Sequence, residues 1–332
     1  MTQVSENKQI SEHAAALVTI DEASEGQRVD NFLAKILKGV PKSHIYRILR
    51  SGEVRVNKGR VDASLKLSLN DVVRVPPIRM SAKNPISATS KAPEEAKFDK
   101  AIVYEDEAML VIDKPAGFAV HGGSGISRGV IEQLRLERPK AKFLELVHRL
   151  DRDTSGVLML AKRRSALVAL HAAIKDNKTD KRYAVMVAGE WTDAKKRVVL
   201  YLQKYVLPNG ERRVNVVPDK RADKHNEAQV SETVFYLKQA FEGFSLLEAK
   251  LVTGRTHQLR VQLAHLGFPI LGDDKYGNLD LNKKLQKQGL KRMFLHSSET
   301  KLAHPLSHER LRLFAPLPKE LDKFIQALTK NT

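Results

Sequence analysis

The chain has 332 residues, enough for two domains that each bury a core, and 42% of them are hydrophobic, which excludes a largely disordered protein. Its 57 Lys and Arg outnumber 39 Asp and Glu, and the net charge of +18 indicates a polyanionic partner, for which nucleic acid is the first choice. Because the chain contains no cysteine, disulfides, iron–sulfur clusters and cysteine-based zinc sites are excluded.

The first residues, 1–17, are polar and show no convincing period, so we expect a flexible N-terminal tail. They lack the basic-then-apolar layout of a signal peptide. No apolar run of about 18 residues follows anywhere, so we expect no membrane partner. The sequence therefore predicts a cytoplasmic protein.

Two amphipathic helices open the ordered chain. From Val29 the apolar residues recur at the helical spacing i, i+3, i+4 and i+7, and Gly39 ends this helix. A second helix is predicted over residues 42–51. A hairpin turn at 57–60 and a short strand at 71–75 complete a small helix–helix–strand unit.

This small unit is strongly basic. Residues 28–79 contain twelve Lys and Arg against four Asp and Glu. A solvated helix face is the usual meaning of a charge run, but the density of cations and a tyrosine among them favour binding to a phosphate backbone. The side chains predicted to make these contacts are Lys42, Ser43, Tyr46, Arg47, Arg50, Arg55, Lys58 and Arg60.

A segment poor in large apolar residues, 79–98, is predicted to be a linker between two domains. The first domain then covers residues 18–78 and the second residues 99–330. In the second domain, long helices do not regularly separate the predicted strands, which indicates an α+β fold with a mixed sheet. Residues 279–292 are polar and are predicted to form a surface insertion.

The second domain alternates recognisable strands and helices. Strands are predicted at 108–112, 157–161, 183–189 and 244–252, and helices at 165–175 and 257–266.

Asp151 lies on the turn before the buried run 157–161 and is flanked by Arg149 and Arg152. A carboxylate between two guanidiniums is either a structural ion pair or an acid held ionised for chemistry. Taken alone, the structural ion pair is the more frequent case.

Other candidate sites are weaker. The loop Gly122–Gly125 lacks a following Gly-Lys-Ser/Thr, so a plain turn is preferred to a phosphate cradle. The histidines are scattered without paired metal spacing, and we predict no metal site. Asp151 and Asp153 are too close in sequence to flank a glycosidic bond.

Several motifs occur together in a fixed order. They are Lys114-Pro-Ala-Gly with His121, His148–Gly156, Lys181-Arg-Tyr183, Gly254–Arg260, Gly272–Gly277 and Leu295-His296. From about Val103 to Pro318 this set resembles the RluA-type family of pseudouridine synthases. Residues 26–33 and 41–57 resemble the alpha-L RNA-binding motif of the S-four type, a module appended to several RNA-modifying enzymes.

The resemblance assigns roles to residues of this chain. Asp151 matches the family's nucleophile, Tyr183 its active-site tyrosine, and Arg260 the arginine that pairs with the aspartate, with Arg255 as the alternative. Four residues are implied to flip or contact the substrate: Arg149, His148, Arg255 and His257.

The resemblance also implies an activity and a fold. The expected enzyme is an isomerase that converts uridine to pseudouridine in 23S ribosomal RNA, at several sites, by base flipping and without a cofactor. The expected catalytic fold has a mixed, mainly antiparallel central sheet. We expect a monomer without an obligate protein partner.

Two departures from the family pattern and two rival functions stay open. Gln262 stands where histidine is common, and Val185 where alanine is expected, which puts local packing or RNA contact in doubt. The charge would also suit a non-catalytic RNA-binding factor for ribosome assembly. An RNA methyltransferase would need a glycine-rich cofactor turn after a strand, and the sequence shows no adequate one.

Overall fold

The computed structural model describes residues 14–37, 39–78, 97–122, 128–218 and 228–329. The chain divides between Lys91 and Ala92 into two compact units. This division lies inside the predicted linker, of which residues 79–96 fall outside the described residues. No helix in the described ranges is long and apolar enough to cross a membrane.

The first unit packs two helices on a four-stranded antiparallel sheet with strand order β1-β4-β2-β3. Its elements are β1 (Ala16–Thr19), α1 (Val29–Ile36), α2 (Lys42–Arg50), β2 (Arg55–Val56), β3 (Gly59–Arg60) and β4 (Val72–Val75).

The apolar residues that recur at helical spacing in the first unit are the ones that pack in its core. Val29, Phe32 and Leu33 of α1 are buried, and Ile45 and Ile48 of α2 join them in one core. Both predicted helices are confirmed. Because these apolar stripes face inward, the basic side chains of α2 stay exposed.

Strand β1 begins within the segment that the sequence assigned to the N-terminal tail. Ala16 and Val18 are half-buried and Leu17 is exposed, so the strand shows little hydrophobic signal by itself. Its pairing with β4 defines it. Residues 1–13 lie outside the described part of the chain.

The second unit is an α+β domain. After a short 3-10 helix (Phe98–Ala101), its elements are β5 (Ile102–Glu105), β6 (Met109–Lys114), α3 (Val130–Glu137), β7 (Glu145–Leu146), β8 (Ser155–Ala161), α4 (Arg164–Lys175), β9 (Asp180–Ala188), β10 (Lys195–Val206), β11 (Arg212–Val217), β12 (Gln229–Phe241), β13 (Phe244–Leu251), α5 (Gln258–His265), α6 (Leu279–Lys287), β14 (Leu295–Ala303), β15 (Arg310–Phe314) and α7 (Lys319–Thr329).

These strands form one sheet of eleven, in the order β11-β10-β12-β13-β9-β14-β8-β6-β5, with β15 beside β14 and β7 beside β8. Among the described pairs, β8 and β14 run parallel and every other pair is antiparallel. The mixed, mainly antiparallel sheet expected from the sequence is therefore confirmed.

Strand β8 is buried along its whole length, which explains its unbroken apolar sequence. Successive side chains point to opposite faces of a sheet. Leu158 and Leu160 accordingly join one hydrophobic cluster, whereas Val157 and Met159 join another. The loop that precedes β8, and with it Asp151, is thus fixed to the centre of the domain.

One sequence interpretation of this domain is incomplete. Most of residues 279–292 are exposed, as expected of a surface insertion, but α6 also packs Leu285 against the core beside Phe294. The two departures from the family pattern have a packing explanation: Gln262 is fully buried and accepts a hydrogen bond from the Thr233 hydroxyl at 2.7 Å, and Val185 lies fully buried in the core.

Candidate active site

A cleft of about 510 Å³ lies over the centre of the large sheet. Its walls come from the loop before β8, the start of β9, the segment between β13 and α5, and α5 itself. It brings together the candidate residues of the second unit, which are up to 112 positions apart (260 − 148) in the sequence. These are His148, Arg149, Asp151, Tyr183, Arg255, His257 and Arg260.

The Asp151 loop is held against β14 at Gly156. The parallel register pairs Ser297 with Gly156, whose φ is +110°. A Cβ at position 156 would lie 2.1 Å from the carbonyl oxygen of Ser297, so a glycine is required there. The turn predicted around Thr154 closes with a hydrogen bond from its N–H to the Asp151 carbonyl at 3.2 Å.

Arg260 is the partner of Asp151. Its Nη1 lies 3.3 Å from Asp151 Oδ2, while its own side chain is only 4% exposed. The predicted pairing across the sequence is confirmed. Arg255, the alternative partner, instead donates from Nε to the Val230 carbonyl at 3.0 Å. Arg152 pairs with Asp153 at 3.2 Å.

Arg260 is itself fixed by Asp273. Nε and Nη2 of Arg260 donate to the two Asp273 oxygens at 2.7 and 2.6 Å, in the bidentate geometry that orients a guanidinium firmly. Burial would lower the pKa of Arg260, but the hydrogen bonds and charge of Asp273 raise it above its usual value. Arg260 therefore presents its remaining Nη1 to Asp151 as a permanent cation.

The loop carrying Asp273 is braced from two directions. Asp273 Oδ1 accepts from the Lys275 and Tyr276 N–H groups at 2.8 and 3.1 Å. Asn282 of α6 donates to the Asp273 carbonyl and accepts from the Gly272 N–H, each at 2.8 Å. The segment expected to be a surface insertion thus braces the candidate site.

His257 lies next to Asp151 in an unusual backbone conformation. It precedes α5 with φ +52°, a left-handed value that is strained for a non-glycine residue and often marks functional sites. Its Nε2 is 3.9 Å from Asp151 Oδ2, and its Nδ1 is 2.8 Å from the Tyr276 hydroxyl.

The contacts of Tyr276 define the protonation of His257. The Tyr276 oxygen already accepts from the Val214 N–H at 3.0 Å, so its own proton is available for His257 Nδ1. Burial lowers the pKa of His257, which keeps the imidazole neutral. A ring proton on Nε2 suits this geometry, because Nε2 faces the Asp151 carboxylate at 3.9 Å and Nδ1 can then accept from the Tyr276 hydroxyl.

Tyr183 lies on β9 in the wall of the cleft and is 7% exposed. Burial raises the pKa of Tyr183 to about 12, and the neighbouring Ser297 offsets only part of that rise. The phenol is therefore protonated at neutral pH and presents a ring to the cleft.

Arg149 and His148 differ in exposure and bonding, although they are neighbours. Arg149 is exposed at the rim of the cleft. His148 Nε2 accepts from the Met159 N–H at 3.1 Å, and burial lowers the pKa of His148 to about 3. The neutral His148 ring consequently ties the loop to β8, a structural contact that the sequence did not predict.

A buried lysine also holds the loop. Lys114 Nζ donates to the carbonyls of Pro115, Phe118 and Arg152 at 2.9, 2.9 and 3.0 Å. Burial lowers the pKa of Lys114 to about 7. Lys114 joins the segment after β6 to the Asp151 loop.

A buried serine and histidine also pack beneath the loop. Ser155 Oγ accepts from Arg292 Nη2 at 2.8 Å and is 2.8 Å from His296 Nδ1, and His296 Nε2 is 3.0 Å from the Ala315 carbonyl. Ser155 therefore donates to Nδ1, and Nε2 donates to the carbonyl. This pair is structural because both side chains are sealed from solvent.

The first unit carries a separate group of candidate residues. All eight predicted phosphate contacts are exposed on α2 and the β2–β3 hairpin. Tyr46 is 41% exposed and donates from its hydroxyl to Asp30 Oδ2 at 3.2 Å, which orients its ring. Among the described residues, no group of three or more His, Cys, Asp or Glu side chains could hold a metal ion.

Sequence reasoning assigned no role to Asp273 or Tyr276, although their segment was recognised as a motif. The signal was present: two acids, a lysine and a tyrosine stand between glycines at 272 and 277. Which acid would meet Arg260 depends on the turn, and only the fold determines it.

Two family models match the chain. RNA pseudouridylate synthase matches residues 108–265, and the S4 domain matches residues 27–73. A solved structure, human RNA pseudouridylate synthase domain containing 4, is 25% identical with a TM-score of 0.56, covering 70% of this chain and 94% of its own.

Curated relatives match over nearly the full length. Ribosomal large subunit pseudouridine synthase C of Pasteurella multocida is 48% identical over 100% of this chain and 99% of its own. The proteins of the same name from Haemophilus influenzae and Escherichia coli are 44% and 46% identical, covering 98% and 94% of this chain and 99% and 95% of their own.

Proposed function

Since the chain belongs to the RNA pseudouridylate synthase family, we propose that it isomerises uridine to pseudouridine in large-subunit (23S) ribosomal RNA, at more than one site. The observation that carries the proposal is the Asp151 carboxylate held at 3.3 Å by the buried Arg260 inside a basic cleft. The names of the relatives supply the substrate class.

The reaction needs a nucleophile or base but no outside group. The bond from N1 to the ribose breaks, the base turns, C5 joins the ribose, and the C5 proton is lost while N1 gains one. The Asp151 carboxylate can attack the sugar, attack the base or remove a sugar proton. In each case its oxygen must be aimed, and the Arg260 contact provides that orientation.

Tyr183 is proposed to stack on the target base. Its pKa of about 12 makes it a proton donor or a link to water at neutral pH, not an ionised base. Removal of the C5 proton by Tyr183 would therefore run through water or an acceptor such as Asp151.

Target bases inside folded RNA must leave the stack before they reach Asp151. Arg149 suits the role of filling the vacated space because its long side chain is exposed at the rim of the cleft. Unpairing and unstacking a base costs a few kcal/mol, which contacts of this kind offset.

Residues 18–78 are proposed to act as the RNA-binding domain and residues 99–330 as the catalytic domain. The exposed cations of α2 suit phosphate contacts, which raise affinity without reading sequence. We also propose that the protein acts as a monomer in the cytoplasm, where ribosomal RNA is made.

Mapping of pseudouridine in 23S rRNA tests the proposal. A strain that lacks this protein is expected to lose specific pseudouridines, which the wild-type chain restores and Asp151→Asn does not. Retention of every pseudouridine in the deletion strain would refute the activity. Restoration of ribosome assembly by both chains, with modification changed by neither, would support the assembly-factor alternative suggested by the exposed basic surface.

A further inference from the structure

Lys181 is a buried lysine in the wall of the cleft, and no role has been given to it so far. It stands near the start of β9 and its residue exposure is only 9%. Charged lysines are seldom buried to this degree without a partner, because removing an ammonium from water is costly.

Lys181 has no such partner in the described part of the chain. No carboxylate and no hydrogen-bond acceptor contacts its Nζ there, and burial alone lowers its pKa. Lys114, the other buried lysine near the Asp151 loop, satisfies its three protons with three carbonyls. The contrast leaves the Lys181 ammonium open to a ligand in the cleft, because none of the described side chains or carbonyls satisfies it.

The cleft favours an anion as that partner. Among its described lining residues, five carry a positive charge (Arg149, Lys175, Lys181, Arg255 and Arg260), and Asp151 is the lone carboxylate. The lining of the cleft is therefore cationic, and Asp151 is already held by Arg260. Lys181 remains available for an incoming oxygen.

Two neighbours determine where that oxygen would lie. Lys181 and Tyr183 are two residues apart on β9, so their side chains share one face of the strand, with backbone positions about 7 Å apart. A Cβ on Gly254 would lie 3.6 Å from Lys181 Nζ, an ordinary contact distance, so the Gly254 backbone lies beside the ammonium.

We propose that Lys181 Nζ binds a non-bridging oxygen of a phosphodiester that flanks the target uridine while the base stacks on Tyr183. This assignment rests on the proposed function, because it takes RNA as the ligand. It makes Lys181 a substrate-binding residue inside the cleft. A charged hydrogen bond to phosphate at a buried site gives more affinity than an exposed contact.

The test is a double-mutant cycle in which one change is made in the protein and the other in the backbone of the RNA. The probe is the RNA heptanucleotide AAAUAAA, whose single uridine is unpaired and needs no flipping. Binding is measured by fluorescence anisotropy with Asp151→Asn as the parent, so that no turnover occurs. The probe carries either normal phosphates or one neutral methylphosphonate, placed 5′ or 3′ of the uridine.

Lys181→Met and one of the two methylphosphonates should each weaken binding about tenfold, and combining them should cause no further loss. Lys181→Arg should retain most of the affinity, and Lys175→Met, at an exposed lysine of the same cleft, should lose little. Thermal unfolding of each variant shows whether it is folded. If Lys181→Met folds, and each methylphosphonate lowers its RNA affinity by as much as it lowers the affinity of the parent, the proposal is overturned.

The outcome is independent of catalysis. Because binding is measured without turnover, a failure to find pseudouridine in the mapping experiment would refute the proposed function alone. If the effects of Lys181→Met and of one methylphosphonate on binding do not add, Lys181 is still assigned as the residue that binds that phosphate.

Discussion

The two units use positive charge in opposite ways. In the first unit, the cations of α2 and the β2–β3 hairpin are exposed on elements whose other face forms the core. In the cleft of the second unit, Arg260 is 4% exposed and contacts three carboxylates, those of Asp151, Asp273 and Asp274.

The difference separates affinity from chemistry. Exposed cations attract phosphates at any position along a strand, and salt screens them. A buried guanidinium that two other bonds already fix can hold a carboxylate in one geometry, which a reaction at a single atom requires. The predictions below test this contrast, beginning with the largest expected effect.

Among substitutions that leave Asp151 in place, replacing Asp273 with Asn should cause the largest loss of activity. It removes the charge that fixes Arg260, leaves a buried guanidinium without its main partner and should destabilise the protein by about 3–5 kcal/mol. The kcat for uridine isomerisation should fall at least about 100-fold, because Asp151 loses its oriented partner.

Asp274→Asn is the matched control for Asp273→Asn. Asp274 lies 3.3 Å from the same Arg260 nitrogen, but its side chain is 58% exposed. Its loss should change kcat by less than about threefold, since exposed pairs contribute about 0–1 kcal/mol. Equal effects of the two substitutions, in kinetics and in denaturant unfolding, would contradict the role given to burial.

Stability should fall in mild acid. Burial lowers the pKa of His296 to about 4, whereas an unfolded histidine titrates near 6.5. The unfolded chain therefore binds the proton first as the pH falls. The contribution of His296 is fully present above about pH 6.5 and is lost as the pH falls toward about 4, by about 3 kcal/mol.

Urea unfolding between pH 7 and pH 4 measures this loss, and His296→Gln should flatten the curve because glutamine does not titrate. An unchanged slope in His296→Gln would show that the acid sensitivity arises elsewhere. His148, whose pKa is lowered to about 3, should add a loss of the same sign.

Tyr276→Phe should have an intermediate effect. It keeps the ring beside Arg260 but removes the hydroxyl that defines the His257 tautomer, so kcat should fall about tenfold with little change in KM. His257→Asn keeps a residue that tolerates the left-handed backbone and should lower kcat similarly. The double variant should be no worse than His257→Asn alone. Additive losses would indicate independent roles.

Substitutions in the first unit should have the smallest effect on chemistry. Arg47→Gln combined with Arg50→Gln should weaken RNA binding a few-fold and reduce the slope of log K against log salt by about 1.4–1.8, with kcat unchanged. Arg163→Gln, at an exposed arginine of the second unit paired with Glu107, is the control and should leave the slope unchanged. A reduced kcat in the double variant would contradict the claim that the first unit contributes to RNA affinity and not to the chemical step.

The sequence predicts well those features that repeat or that occur within a short segment. Both helices of the first unit and the buried strand β8 follow from apolar spacing. Helix α7 carries the same signal, with Leu321, Phe324 and Leu328 on one side, so it was predictable although it was not predicted. Strands β10 to β12 are only partly buried, and their alternation is correspondingly weak.

Predictions about the site likewise succeed for residues within one segment and fail for contacts between distant segments. Motif order selected Asp151 and Arg260 as candidates, because those residues stand inside recognisable segments, and the structure pairs them. The bidentate Asp273, the His257 tautomer and the unpartnered Lys181 depend on which strands and turns become neighbours. Such long-range pairings leave no periodic trace in the sequence.

The central claim is that the Asp151 carboxylate, aimed by Arg260, performs the isomerisation. It is tested most directly by tritium release from 23S rRNA transcribed with [5-³H]uridine, because C5 loses its hydrogen only when the new bond forms. The wild-type protein should release tritium, and Asp151→Asn should bind the same RNA with similar affinity yet release none. Equal release by both proteins would contradict the account.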